Sequence, residues 1–373
     1  MYANDILNAR RDAAVDYMRK ITDTVWRAGE DLVYTQEADT LPEKANKILT
    51  IKAGRLYKGM LYSFAGGTPE AFFDFADTTD EKGIPIIRGL EWKAVSGASD
   101  TARIGTDCSG SVQRAWTAAG ADIRALSTRA MCPQNGYLLL GDFTAPRDHV
   151  SSEAIQANPP EVMYEAYALL EKADAVVCRW KTGHTRMVIG VQVVRDENGR
   201  IDSTASYAET LEQTRGFMRK DAKYFDEKLG EDVYVICGNV KYSFADLYET
   251  GYMPITCRAF TDPSPIPAPF VRDSREEHGY ASLFEGTLDA NRLIDVVIMT
   301  VADSAGEELL RMSVPERRNG KSFDMALFGA EEIPGARGSM HAEALPAGKY
   351  HCRVVCRLSG DVQIPVRDFD FVK

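Results

Sequence analysis

The stretch "FTDPSPIPAPFVRDS", residues 260–274, constrains the fold more than any other feature. Proline stands at 263, 265, 267 and 269. Each proline fixes φ and removes a backbone donor, so alternating prolines fit neither a helix interior nor an inner strand. They make an extended, stiff connection. The chain therefore divides into a first domain over 1–262, a linker over 263–274 and a second domain over 275–373. A length of 373 residues suits two or three domains, and 45% apolar residues can fill their cores.

Ahead of the linker, helical patterns come first. Residues 5–34 read as helical, with Ala14, Met18, Ile21 and Val25 on one face and Trp26 beside it. A second helical pattern runs from about Pro42 to Tyr57. The segment "GMLYSFAGGTPEAFFDFA" is turn-rich, and Gly66 and Gly67 allow a sharp bend. After Cys108, Val112, Ala115, Trp116 and Ala119 recur at helical spacing, and Gly120 stands where a glycine cap belongs. Residues 121–152 read as irregular, and "NPPEVMYEAYALLEKAD" as a helix with proline in its first turn.

Short β-rich runs follow: "AVVCRW", "HTRMVIGVQVV", "GRIDSTASYAE" and "DVYVICGNV", with "DENG" as a hairpin turn. Helices followed by an antiparallel sheet predict an α+β domain. Beyond the linker, apolar and polar residues alternate between regularly spaced turns, which predicts a small all-β sandwich of about 100 residues.

The formal charge of -11 makes nucleic acid and anionic lipid poor partners. No run reaches the ~18 apolar residues of a membrane span. The N-terminus lacks an apolar signal core, so the protein is read either as cytoplasmic or as the remainder after an export signal was trimmed. The seven cysteines are scattered, with no C-x-x-C pair, which argues against a disulfide framework or a structural zinc site.

Chemistry concentrates in "IGTDCSGSVQRAWTAAG", which sets Cys108 at a helix start. Exposed N–H groups there favour a thiolate and can hold an oxyanion. A lone cysteine is more often an inert core residue, so a base is required. Five histidines are available, at 149, 184, 278, 341 and 351, and His184 opens a strand after the turn "KTG". Across the hairpin, Glu209 and Glu212 fall where an orienting group belongs, and Glu209 is preferred because it closes the strand. Other features keep plain readings. Cys352 and Cys356 share a strand face while His351 points away, which is core packing rather than a metal site. Phe72, Phe73 and Phe75 read as packing, and "RDSREEHG" as a solvated surface.

"YKGMLYSFAGGTP", "DCSGSVQRAW" and "GHTRMVIGV", in this order, resemble the NlpC-type cell-wall peptidases of the papain-like cysteine hydrolases. The resemblance covers roughly residues 50–215. It implies a papain-like catalytic domain, with helices packed on an antiparallel sheet, that cleaves peptidoglycan stem peptides between γ-D-glutamate and a diamino acid. Cys108 would be the nucleophile, His184 the base and Glu209 the orienter, with Tyr62, Asp107 and Ser109 holding substrate. The family more often has His, Asn or Gln as third residue, closer to the histidine than Glu209 stands. Residues 70–100 and 120–165 read as insertions. No metal or organic cofactor is implied. Alternatives are an amidase or acyltransferase on another substrate, and a non-catalytic binding protein on the same scaffold. The C-terminal sandwich is expected to pack on the catalytic domain or to recruit substrate or a partner. The compartment would be the cell wall after export, or the cytoplasm for muropeptide recycling.

Overall fold

The computed structural model describes residues 3–35, 48–63, 67–90, 92–95, 98–102, 105–123, 127–180, 183–214, 222–315, 320–330, 336–358 and 362–373. Helix Ala3–Asp23 buries Ala14, Val15, Tyr17, Met18 and Ile21. It stops where Thr24 turns its hydroxyl back to the Lys20 carbonyl at 2.8 Å, a bond that competes with the helical ladder.

The helix expected over 5–34 is thereby corrected, because Val25–Ala28 and Leu32–Thr35 are strands. Val25 and Trp26 pair with Lys58 and Tyr57, and the Trp26 indole donates to the Gly59 carbonyl at 2.8 Å. β-branched and aromatic residues at the end of a helical pattern go to a sheet when a partner strand is present. The helix expected over 42–57 is corrected where it can be seen. Ile48–Ile51 and Leu56–Lys58 are strands, and Gly54 turns between them at φ 80°. Residues 42–47 lie outside the described part.

The fold is mixed α+β. One six-stranded, wholly antiparallel sheet runs in the order Cys237–Ser243, Tyr207–Gln213, Gly183–Gln192, Ala175–Arg179, Met253–Cys257, Tyr137–Leu139. Helices Ala3–Asp23 and Cys108–Ala118 pack on each other and on the central strand Gly183–Gln192. A second, mixed sheet runs in the order Lys223–Asp226, Glu231–Val235, Leu56–Lys58, Val25–Ala28, Pro85–Ile87, Ala76–Thr79. The run "DVYVICGNV", expected as one strand, divides between the two sheets around the buried Ile236. Of "GRIDSTASYAE", the strand keeps only the part from Tyr207 onward. Among the described residues, no helix is long and apolar enough to cross a membrane.

Among the described residues, the two larger hydrophobic cores stand on either side of the proline segment. The first extends from Ala14 to Phe260, the second from Leu283 to Phe371. The second is built from two antiparallel sheets. Val271–Asp273, Thr287–Ala290 and Ser322–Asp324 form one. Arg337–Ser339, Glu308–Pro315, Ile294–Asp303, Lys349–Leu358 and Val362–Val372 form the other. Cys352 and Cys356 are buried in this core, and His351 faces outward between Asp368 and Asp370.

The proline segment is tied down rather than free. The Arg10 guanidinium donates to the carbonyls of Ala259, Asp262 and Ser264 at 3.0, 2.6 and 2.6 Å. Ile266 packs over Gly120, the residue after the C-cap of helix Cys108–Ala118. Gly120 has φ +92°, and a Cβ there would lie 2.3 Å from Ile266 Cδ1. Left-handed backbone costs a non-glycine residue roughly 1–2 kcal/mol, and the clash adds to it. Gly120→Ala should lower the melting temperature, and Ile266→Ala in the same chain should recover the clash part and leave the backbone part. Equal destabilisation with and without Ile266 would show that the contact contributes nothing.

Candidate active site

Cys108 is the first residue of helix Cys108–Ala118, and Asp107 is its N-cap. Asp107 Oδ1 accepts from the Gly110 amide at 2.8 Å and from the Ser109 hydroxyl at 2.7 Å. This capping fixes the first turn, and with it the sulfur. The segment before the cap lies beside residues 61–63. Tyr62 and Thr106 form a parallel bridge. Thr106 N donates to Leu61 O at 3.1 Å, and Ser63 N to Thr106 O at 3.0 Å. Gly105 makes this approach feasible, since a Cβ there would sit 2.4 Å from the Leu61 carbonyl. Gln213 braces the same segment by donating to Met60 O at 2.8 Å and Leu61 O at 3.2 Å.

Cys108 is 4% exposed. The Thr185 amide, the Tyr62 hydroxyl and the Ser109 amide lie near its sulfur. These donors favour a thiolate, but burial and the neighbouring Asp107 charge outweigh them and push the thiol up to about 12. The free protein therefore holds a protonated thiol, not a preformed thiolate.

His184 adjoins Thr185, whose amide reaches that sulfur, on strand Gly183–Gln192. Its Nε2 lies 2.8 Å from Glu212 Oε2. Burial, then the Arg186 charge, pushes the imidazole down to about 3, with Asp107 opposing. Burial thus favours the uncharged form of both Cys108 and His184.

The expectation that Glu209 orients His184 is corrected. Glu209 pairs with Gly190, and its carboxylate accepts from Asn239 at 2.9 Å. Glu212 is the carboxylate at the imidazole, and it is 4% exposed. Residues three apart on a strand face opposite sides. A bulge between Val188 and Gly190 further shifts the register that a regular hairpin would give. Alternation counted back from the Met187–Leu211 pair is the signal that singles out Glu212.

Among the other expected site residues, Tyr62, Asp107 and Ser109 gather at Cys108, while Gly66 lies outside the described residues. The remaining histidines are engaged elsewhere: His149 with Asp148, His278 with Asp273, His341 with Glu343, and His351 with Asp368 and Asp370. Arg186 was not singled out in the sequence, yet it contacts Glu212 and donates to the Tyr252 hydroxyl at 2.9 Å. Among the described residues, no group of three His, Cys, Asp or Glu side chains is arranged to hold a metal ion.

If Glu212 orients the base, Glu212→Gln should reduce turnover by about 10²-fold, and Glu209→Gln should leave it unchanged. Steady-state rates of the two variants check this, and equal losses would contradict the assignment.

No protein-family model and no curated protein matches the chain. Among solved structures, one match is a tetra-tandem repeat from the extending region of a large adhesion protein. It has 11% identity and a TM-score of 0.18, and covers 54% of this chain and 40% of that one. A likeness at that level carries no argument about fold or function.

Proposed function

We propose that the protein is a papain-like cysteine hydrolase that cleaves an amide bond in peptidoglycan stem peptides, between γ-D-glutamate and a diamino acid. The observation that carries this reading is one junction. The amide of Thr185 lies near the Cys108 sulfur, while Nε2 of the preceding His184 lies 2.8 Å from Glu212 Oε2. An imidazole turned from this strand toward Cys108 would complete the order of thiol, base and carboxylate that acyl transfer needs.

The reaction follows from the charge states. As the sulfur attacks the amide carbonyl, the thiol proton passes to Nδ1 of His184, the nitrogen not engaged by Glu212. The S–C bond forms, and the oxyanion is received by amides at the helix start, with the Tyr62 hydroxyl beside them. The C–N bond breaks as His184 returns the proton to the leaving amine. Water, deprotonated by the same imidazole, then hydrolyses the thioester. The Asp107 carboxylate, with Ser109 bonded to it, supplies the negative charge that would receive a free amine of the peptide. The C-terminal strands, read as a sandwich domain over 275–373, would support the Cys108 helix.

A non-catalytic binding protein is the second reading, favoured by the low exposure of Cys108 and its protonated thiol. Incubation with L-Ala-γ-D-Glu-diaminopimelate and mass analysis of the products separates the two. Release of free diaminopimelate by the wild type and not by Cys108→Ala supports the hydrolase. Intact peptide, retained by the protein in a binding assay, supports the second. Transfer of the acyl group to an added amine, in place of hydrolysis, would mark an acyltransferase.

A further inference from the structure

We propose that Arg186 is a positioning residue which, by sharing the Glu212 carboxylate with His184, keeps the imidazole uncharged and its Nδ1 open to a proton. The inference rests on the hydrolase reading for its use, but not for its test. Met187 pairs with Leu211, so one step along the ladder Arg186 lies across from Glu212. Alternation puts His184 and Arg186 on the same face. Glu212 Oε2 lies 2.8 Å from His184 Nε2 and also contacts Arg186 Nη1.

Arg186 cannot swing away without losing several contacts. Its Nε donates to the Tyr252 hydroxyl at 2.9 Å. Its guanidinium sits over the Tyr242 ring at 4.2 Å and nears the Tyr252 ring at 5.4 Å. A planar, permanently charged group held this way is a fixed positive charge. The carboxylate is therefore already balanced. An imidazolium would bring a second positive charge against the same oxygen in a site where water screens poorly.

The favoured arrangement is a neutral ring that donates Nε2–H to Glu212 and leaves Nδ1 as acceptor. The other groups that face this ring do not reverse the balance. Asp107, at the helix cap, favours the charged ring, but burial and Arg186 prevail. Cys108 carries a proton, with the Tyr62 hydroxyl at its sulfur. Cys178, paired with His184 on the neighbouring strand, is held protonated by burial and contacts Tyr252. Tyr242 and Tyr252 present ring faces to the guanidinium.

The test is a pH titration of the imidazoles by NMR in protein labelled with ¹³C,¹⁵N-histidine. The His184 signal is assigned by its loss in His184→Gln. In the wild type, His184 should remain in the neutral Nε2–H form from pH 8 to pH 5. Arg186→Met, which keeps apolar packing on Tyr242, should raise its midpoint by about one unit or more, a tenfold change in proton affinity. Arg186→Lys should leave it low. A wild-type ring that titrates near its ordinary value overturns the proposal without any variant, as does a folded Arg186→Met protein with an unmoved midpoint. If Arg186→Met does not fold, Arg186→Gln, which removes the charge and keeps a donor for the Tyr252 hydroxyl, replaces it with the same expected rise. No substrate enters these measurements. A neutral His184 in a protein that cleaves nothing would reject the hydrolase and keep this inference. Cleavage by a protein whose His184 titrates ordinarily would do the reverse.

Discussion

Cys108→Ala should abolish cleavage of the stem tripeptide, by about 10⁴-fold or more, with the fold and melting temperature nearly unchanged. In the proposed reaction the loss is this large because the sulfur forms the covalent bond to the acyl group. His184→Gln should cost a similar factor. The two losses should not add, since in the proposed reaction thiol and imidazole pass one proton as a unit. The double variant should therefore be no slower than either single one. Product release followed by mass spectrometry reads all three. A Cys108→Ala protein that retains more than a tenth of the wild-type rate would remove the nucleophile from its role.

The second large effect lies away from the sulfur. Arg114, on the Cys108 helix, and Asp295, on strand Ile294–Asp303 of the C-terminal sheet, form an ion pair in which both side chains are about 99–100% covered. Removing one partner of a buried pair leaves a charge that water cannot reach, which costs about 3–5 kcal/mol. Asp295→Ala should therefore lower the melting temperature by about 10 °C. It should also depress turnover, because Arg114 stands on the helix whose first residue is the proposed nucleophile. Replacing both partners, as Arg114→Met with Asp295→Leu, should recover most of the stability, since apolar packing replaces buried pairs well. Thermal unfolding of the single and double variants checks this. If Asp295→Ala melts with the wild type, the second core does not brace the helix. Through this pair the C-terminal strands reach the helix that begins at Cys108. Lys321 with Asp122, and Arg357 with Asp74, extend the same junction.

How much of this was legible in the sequence depends on the range of the interaction. Local signals survived. The helix starts at Cys108, the apolar spacing from Val112 follows its length, and Gly120 leaves it in the left-handed conformation. His184 lies on a strand in the antiparallel sheet, as the alternating run after it implied. What failed required knowing a partner. Val25 and Trp26 continue a helical face in sequence, yet they pair with Lys58 and Tyr57, more than thirty residues on. Glu209 and Glu212 look equivalent until the bulge near Gly190 fixes the register and parity separates them. Arg186 was within reach, because it stands two residues from His184 on the same face. Its importance appears only once Glu212 is known to lie opposite. Arg114 and Asp295 are separated by 181 residues, and nothing in either neighbourhood announces the other.

The most direct test of the central claim is the covalent intermediate. Wild-type protein is mixed with L-Ala-γ-D-Glu-diaminopimelate, quenched in acid within the first turnover, digested and analysed by mass spectrometry. The peptide that carries Cys108 should bear an L-Ala-γ-D-Glu acyl group, absent from peptides carrying Cys132, Cys178, Cys237, Cys257, Cys352 and Cys356. Product formed with no acyl group on Cys108 at any time, or an acyl group on another residue, would contradict it.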